Sequence, residues 1–219
     1  VTALAHLTCV GQDEENLRAS INAFKASGIE NILALRGDIP EGDTAPQTFP
    51  HASDLINAIR REGADFCIGG ACYPEGHPES YNSDADIDGV RRKVESGCEF
   101  LTTQMFFDNG LLYNFLYRMQ RAGMDIPVCA GIMPICDARQ VARVVKLSGS
   151  IMPPRFAAIA DRFAGDPQAM TQAGIAFATE QIVDLVANGV GHIHLYTMNK
   201  PWIARAIVEN LSSIIKLGE

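Results

Sequence analysis

Asn31-Ile32-Leu33-Ala34-Leu35-Arg36-Gly37-Asp38 is an apolar run that ends in charge. Its first five residues have a strand's length and no helical period, and a guanidinium, a glycine and a carboxylate follow at once. Five other runs share this character: Leu4–Cys9, Phe66–Cys72, Phe100–Thr103, Val128–Met133 and His192–Tyr196. The first five of the six begin roughly 25–35 residues apart, the spacing of β/α units. Helical patterns fill the gaps. Asp13 can cap a stretch with Leu17, Ile21 and Phe24 on one face, ending before Gly28. Ser53 can cap Leu55–Ile59, and Ser83 with Asp86 fits a capping box ahead of Ile87, Val90 and Val94. Asp108 precedes Leu111, Leu112, Phe115 and Met119, and Asp137 precedes Val141, Val144 and Val145. Between Gly149 and His192 there is room for two helices, Pro154–Ala164 and Pro167–Ala187, the second with Asp166 as N-cap.

Such regular alternation predicts an α/β fold with a parallel sheet covered by helices. An open doubly wound sheet and a (β/α)8 TIM barrel both fit. Six units leave a barrel two units short, and no low-complexity linker divides the 219 residues, so one domain over 1–219 is expected. The polar residues gather where the runs end: Thr8-Cys9, Arg36-Gly37-Asp38, Tyr73-Pro74-Glu75 with His77, Gln104, Pro134, and Thr197-Met198-Asn199-Lys200. In parallel α/β folds that edge binds ligands.

Composition narrows the chemistry. With 18 Lys+Arg against 26 Asp+Glu the net charge is −8, and no basic run offers itself to nucleic acid. No window of 18 apolar residues predicts a membrane span, and no secretory signal is visible. The six cysteines form no C-x-x-C pair, which fits reduced thiols in a cytoplasmic protein. There is no G-x-G-x-x-G after a strand, no P-loop, no H-E-x-x-H and no G-x-S-x-G. His192 and His194 alternate onto one strand face as a metal pair would, but no third ligand shows clear spacing, and no metal is expected.

The strand-end motifs His6-Leu7-Thr8-Cys9, Ala34-Leu35-Arg36-Gly37-Asp38 and Tyr73-Pro74-Glu75-Gly76-His77-Pro78-Glu79 resemble the methylenetetrahydrofolate reductase family. Thr103-Gln104-Met105-Phe106-Phe107-Asp108, Gly131-Ile132-Met133-Pro134 and His194-Leu195-Tyr196-Thr197-Met198-Asn199 continue the resemblance in order, from His6 to about Trp202. It implies a (β/α)8 barrel that binds FAD without a Rossmann fold, with six of the eight strands present here. It also implies a flavin-dependent oxidoreductase of one-carbon metabolism. NADH or NADPH reduces the flavin and leaves, and the flavin then reduces 5,10-methylenetetrahydrofolate to 5-methyltetrahydrofolate for methionine biosynthesis. The family's general acid is a Glu on its first strand, expected upstream of Val1, because the chain opens with Val1 rather than Met and reads as N-terminally incomplete.

Carried over by motif, Asp38 would sit beside flavin and folate, where a carboxylate favours the cationic iminium formed on ring opening. Arg36 and Gly37 would meet FAD, the Arg at its phosphates or ribose. His6, His51 and Ala52 would line the cofactor, as would Tyr73 by packing and His77 by hydrogen bonding. Arg92 and Lys93 would pair the pyrophosphate and Asp86 a ribose hydroxyl. Gln104 would serve folate and nicotinamide in turn, since an amide both donates and accepts. Gln140 and Lys200 would face folate; Lys200 stands where some members carry Arg, and Val144 where an aromatic stacks. By themselves these residues also read as a turn Asp, a Pro-rich loop and a solvated helix face. A metal-dependent barrel hydrolase using His77, His192 and His194, and a non-catalytic flavin- or folate-binding module, are the alternatives. The family further implies a homo-oligomer.

Overall fold

The computed structural model describes residues 2–38, 47–63 and 65–215. Its strands are β1 (Leu4–Thr8), β2 (Asn31–Leu35), β3 (Cys67–Cys72), β4 (Phe100–Thr103), β5 (Val128–Ile132) and β6 (Ile193–Leu195). Its helices are α1 (Glu14–Ala26), α2 (Ala52–Arg61), α3 (Ser83–Glu95), α4 (Asn109–Arg121), α5 (Arg139–Ser148), α6 (Pro154–Phe163), α7 (Pro167–Ala187), α8 (Pro201–Asn210) and α9 (Ser212–Ile215). The class is α/β: among the described residues six strands alternate with helices, the repeat from which (β/α)8 barrels are built. None of the described helices is long and apolar enough to cross a membrane.

The chain gathers into two compact units. The first comprises Val1–Cys72, Glu79–Thr102 and Gln120–Val128. Here β1 pairs with β2 in parallel, His6 opposite Leu33, and β2 pairs with β3, Ala34 opposite Gly70. β2 is buried along its centre, at Ile32, Leu33 and Ala34, as a strand covered on both faces must be. Leu17 and Ile21 of α1 and Leu55, Ile56 and Ile59 of α2 are fully buried, as are Ile32 and Ile68 of the strands. The expected face of α1 is thus buried at Leu17 and Ile21.

The second unit comprises Tyr73–Pro78, Thr103–Met119 and Cys129–Glu219. β5 pairs with β6 in parallel, Gly131 opposite His194. Two ladder bonds continue beyond β6, from Ala130 N–H to His192 O at 2.8 Å and from Tyr196 N–H to Ile132 O at 2.9 Å. Phe107, Met133, Ile135, Val144, Phe156, Ala160 and Met170 form one buried cluster. Val144 is therefore a core residue, 6% exposed, rather than a side chain offered for stacking.

Two caps differ from expectation. α2 begins one residue before Ser53, with His51 as N-cap and its N–H donating to Asp54 Oδ2 at 2.9 Å. α3 begins at Ser83, and Asn82 caps it by accepting from Ala85 N–H at 2.8 Å. In both, the extended residue lies ahead of the serine, and an N-cap must be extended. Asp13 and Asp166 cap as expected. The strand limits shrink by a residue at Cys9, Phe66, Met133, His192 and Tyr196. α8 and α9 follow β6, beyond the last pattern read from the sequence.

Candidate active site

In the first unit the ladder runs past the end of β2. Cys9 N–H donates to Leu35 O at 2.9 Å and Val10 N–H to Arg36 O at 3.1 Å. Arg36 and Gly37 are thus held alongside Thr8-Cys9-Val10. Gly37 has φ +83°, and a β-carbon there would stand 3.1 Å from Thr8 Cβ, so only glycine fits the turn. It delivers Asp38 to solvent just beyond the strand tip. Arg36 grips the Glu79 carboxylate with both terminal nitrogens, at 2.5 and 2.9 Å. That fork is already set for a bidentate oxyanion.

His6 is exposed on β1, while its neighbour Leu7 is buried. His51 is exposed at the start of α2, and Ala52 beside it is buried. On α3, Asp86 is 6% exposed, so it is no solvated helix face; Ser80 Oγ donates to its Oδ1 at 3.3 Å. Lys93 donates from Nζ to Ala71 O at 2.6 Å, near the C-terminal end of β3. Burial pushes its pKa down, against the neighbouring Cys72, Cys98 and Asp86, which hold it up. Arg92 stays exposed. Asp86 and Lys93 accordingly pack inward, and Arg92 does not.

In the second unit Tyr73 and His77 meet edge to face, ring centres 4.6 Å apart at 77°. Gly76 N–H donates to Tyr73 O at 3.0 Å and closes the turn between them. Glu75 lies inside that turn. Its Oε2 accepts from Ile151 N–H at 2.7 Å, while burial raises its pKa, helped by the Asp108 carboxylate and opposed by the Ile151 bond. Gln104 is half-buried at the end of β4, its Oε1 accepting from Met105 N–H at 2.9 Å. Its amide nitrogen is the group left to address a ligand.

Gln140 is half-buried on the first turn of α5, its N–H donating to Asp137 O at 2.9 Å. Asp137 is held down to about 2 by the Arg139 guanidinium and backbone N–H. Lys200 follows Met198 and Asn199, both at positive φ (49° and 57°), and its N–H donates to Thr197 O at 2.9 Å. A two-residue left-handed turn therefore places Lys200 at the N-cap of α8. His194 packs edge-on against Tyr196 at 4.6 Å, and no group of three metal-ligating side chains forms among the described residues.

The family described as methylenetetrahydrofolate reductase matches residues 1–212. The 5,10-methylenetetrahydrofolate reductase of Escherichia coli (strain K12) is 34% identical over 209 residues, 95% of this chain and 70% of that protein. This chain belongs to the methylenetetrahydrofolate reductase family. Methylenetetrahydrofolate reductase 1 of Schizosaccharomyces pombe (strain 972 / ATCC 24843) is 35% identical over 216 residues, but the chain spans 36% of that longer protein. A solved structure of an uncharacterized protein from Clostridium thermocellum shares the fold, with TM-score 0.57 and 12% identity over 97% of this chain and 72% of its own. It is described as binding two copies of 5-methyl-5,6,7,8-tetrahydrofolic acid. Membership makes the chain a member of an oxidoreductase family of folate one-carbon metabolism.

Glu75, Asp108, Thr103 and Tyr196 lie within the strand-end motifs, but the resemblance assigns them no site role. Thr103 Oγ1 accepts from Gly131 N–H at 2.8 Å, and its carbonyl accepts from Tyr196 O–H at 3.0 Å. Both link β4 to residues far along the chain. The one available signal is the place of Glu75 between Pro74 and Gly76 where an apolar run ends.

Proposed function

We propose that this chain reduces 5,10-methylenetetrahydrofolate to 5-methyltetrahydrofolate, drawing electrons from NADH or NADPH through bound FAD in a ping-pong sequence. The observation that carries the proposal is Asp38, exposed at the β2 tip behind a glycine turn in a chain of this family. The donor set suits a flavin dinucleotide. Arg36 is a guanidinium fork shaped for oxyanions, and a phosphate would take the place of the Glu79 carboxylate. Lys93 supplies a second cation, and the buried Asp86 carboxyl can accept from a ribose hydroxyl. His6, Gly37, His51, Ala52 and Arg92 complete the set in the first unit; Tyr73 and His77 offer ring surface in the second.

When bound, FAD supplies a ring that accepts and then gives up hydride. The protein's own groups do the rest. The Asp38 carboxylate stabilises positive charge developing on the folate. Gln104 offers one amide to folate and nicotinamide in turn, which suits a site used alternately. Gln140 and Lys200 address the folate, Lys200 as a point charge rather than a fork. A homo-oligomer in the cytoplasm completes the assignment.

The test is the colour and turnover of the purified protein. FAD-loaded protein is expected to be yellow and to bleach anaerobically with NADH or NADPH. Asp38→Asn is expected to keep its flavin and lose tenfold or more of folate reduction, on the order of one removed electrostatic contact. Protein that stays colourless after incubation with FAD overturns the reading. Flavin binding with no folate turnover by the product of the full-length gene identifies a binding module instead.

A further inference from the structure

We propose that Glu75 is a positioning residue: its carboxylate fastens the loop bearing Tyr73 and His77 to the segment joining α5 and α6. The inference rests on the reading that these two rings face FAD. Glu75 Oε2 accepts from Ile151 N–H at 2.7 Å, a bond between residues 76 apart in sequence. Its Oε1 is buried without a hydrogen-bond partner among the described residues. A carboxylate oxygen left that way is costly, so the side chain is drawn in by the bond that Oε2 makes.

The segment that receives it is itself fixed. Gly149 ends α5 at φ +69°, and a β-carbon there would lie 3.6 Å from Pro78 Cγ. Ser150 N–H donates to Ser148 Oγ at 3.1 Å, and Ser150 Oγ donates to Met105 O at 2.7 Å. Met105 in turn donates its N–H to Gln104. Ile151 is thus an anchored point, and Glu75 ties the Tyr73–His77 turn to it from the inside. Without that tie the two rings keep their own contact but lose a fixed position.

The experiment measures the FAD dissociation constant of the full chain as wild type, Glu75→Ala, Glu75→Gln and Asp184→Ala. Alanine removes the acceptor and is expected to weaken FAD about tenfold. Glutamine keeps an oxygen for the Ile151 N–H and is expected to stay within about threefold of wild type. Asp184→Ala removes the carboxylate that Asn109 and Tyr113 donate to, and is expected to lower the melting temperature without moving FAD affinity. Hydrogen exchange at the Ile151 amide is expected to quicken in Glu75→Ala without any cofactor present. If Glu75→Ala does not fold, Glu75→Asp, one methylene short of Ile151, carries the same expectation. Alanine binding FAD as tightly as wild type, or glutamine binding as weakly as alanine, overturns the proposal. Wild type that binds no FAD is a different failure: it overturns the cofactor reading, and the positioning role goes with it.

Discussion

Asp38 reaches its exposed place because Gly37 turns where no side chain fits. Gly37→Ala meets both a left-handed φ and the Thr8 side chain 3.1 Å away, and is expected to cost about 1–2 kcal/mol, read as a lower urea midpoint. The turn itself is legible in the sequence as a Gly-Asp pair where an apolar run stops. Glu75 is not. Its character comes from Ile151 and Asp108, which only folding brings near. Because burial raises the folded pKa above the ordinary 4.5, the neutral carboxyl favours folding, and that contribution is lost as pH rises through the raised value. Glutamine is neutral throughout. The melting temperature of Glu75→Gln relative to wild type is therefore expected to climb between acid and neutral pH, and a flat difference would refute the raised pKa.

Among the elements, helix starts show how far local sequence reaches. Asp13 and Asp166 are isolated capping residues, and each caps the helix it precedes. Asn82-Ser83 offers two candidates in a row, and the backbone takes Asn82, which is extended at φ −157°. Asn82→Ala is expected to cost about 1 kcal/mol and Ser83→Ala only a few tenths, measured by thermal unfolding. A second case lies in α7. Glycine inside a helix ordinarily gains about 1 kcal/mol on replacement by alanine. At Gly174 a β-carbon would stand 2.1 Å from Ile135 O, so Gly174→Ala is expected to destabilise by about 2–3 kcal/mol instead. Helix propensity alone counts Gly174 as a defect; the packing of α7 on the chain after β5 makes it a requirement.

At the scale of the whole molecule, the six cysteines are free thiols: Cys9, Cys72, Cys98 and Cys136 are buried, and Cys67 and Cys129 half-buried. Burial pushes Cys9 and Cys98 up to about 11, far from the thiolate that reacts. Titration with a thiol reagent at pH 8 is expected to find slow, incomplete reaction in the native protein and six equivalents in denaturant. Reducing agent is expected to leave the melting temperature unchanged; a drop would reveal a disulfide. The absence of C-x-x-C and the apolar setting of several cysteines made the reduced state readable from sequence, because core thiols sit in strand-like runs.

Sequence by itself settled the repeating strand and helix, because period and spacing are properties of neighbouring residues, and its strand-end motifs carried the resemblance to the family. The tips that carry Arg36, Gly37 and Asp38 followed directly, since a strand's end is written where its apolar run stops. Tertiary structure alone decided that Asp86 is buried, that Arg36 holds Glu79, that Val144 belongs to a core and that Glu75 reaches Ile151. Each of these depends on groups dozens of residues apart or on which way a helix face turns. Desolvation and hydrogen bonding act through space, and no local pattern records them.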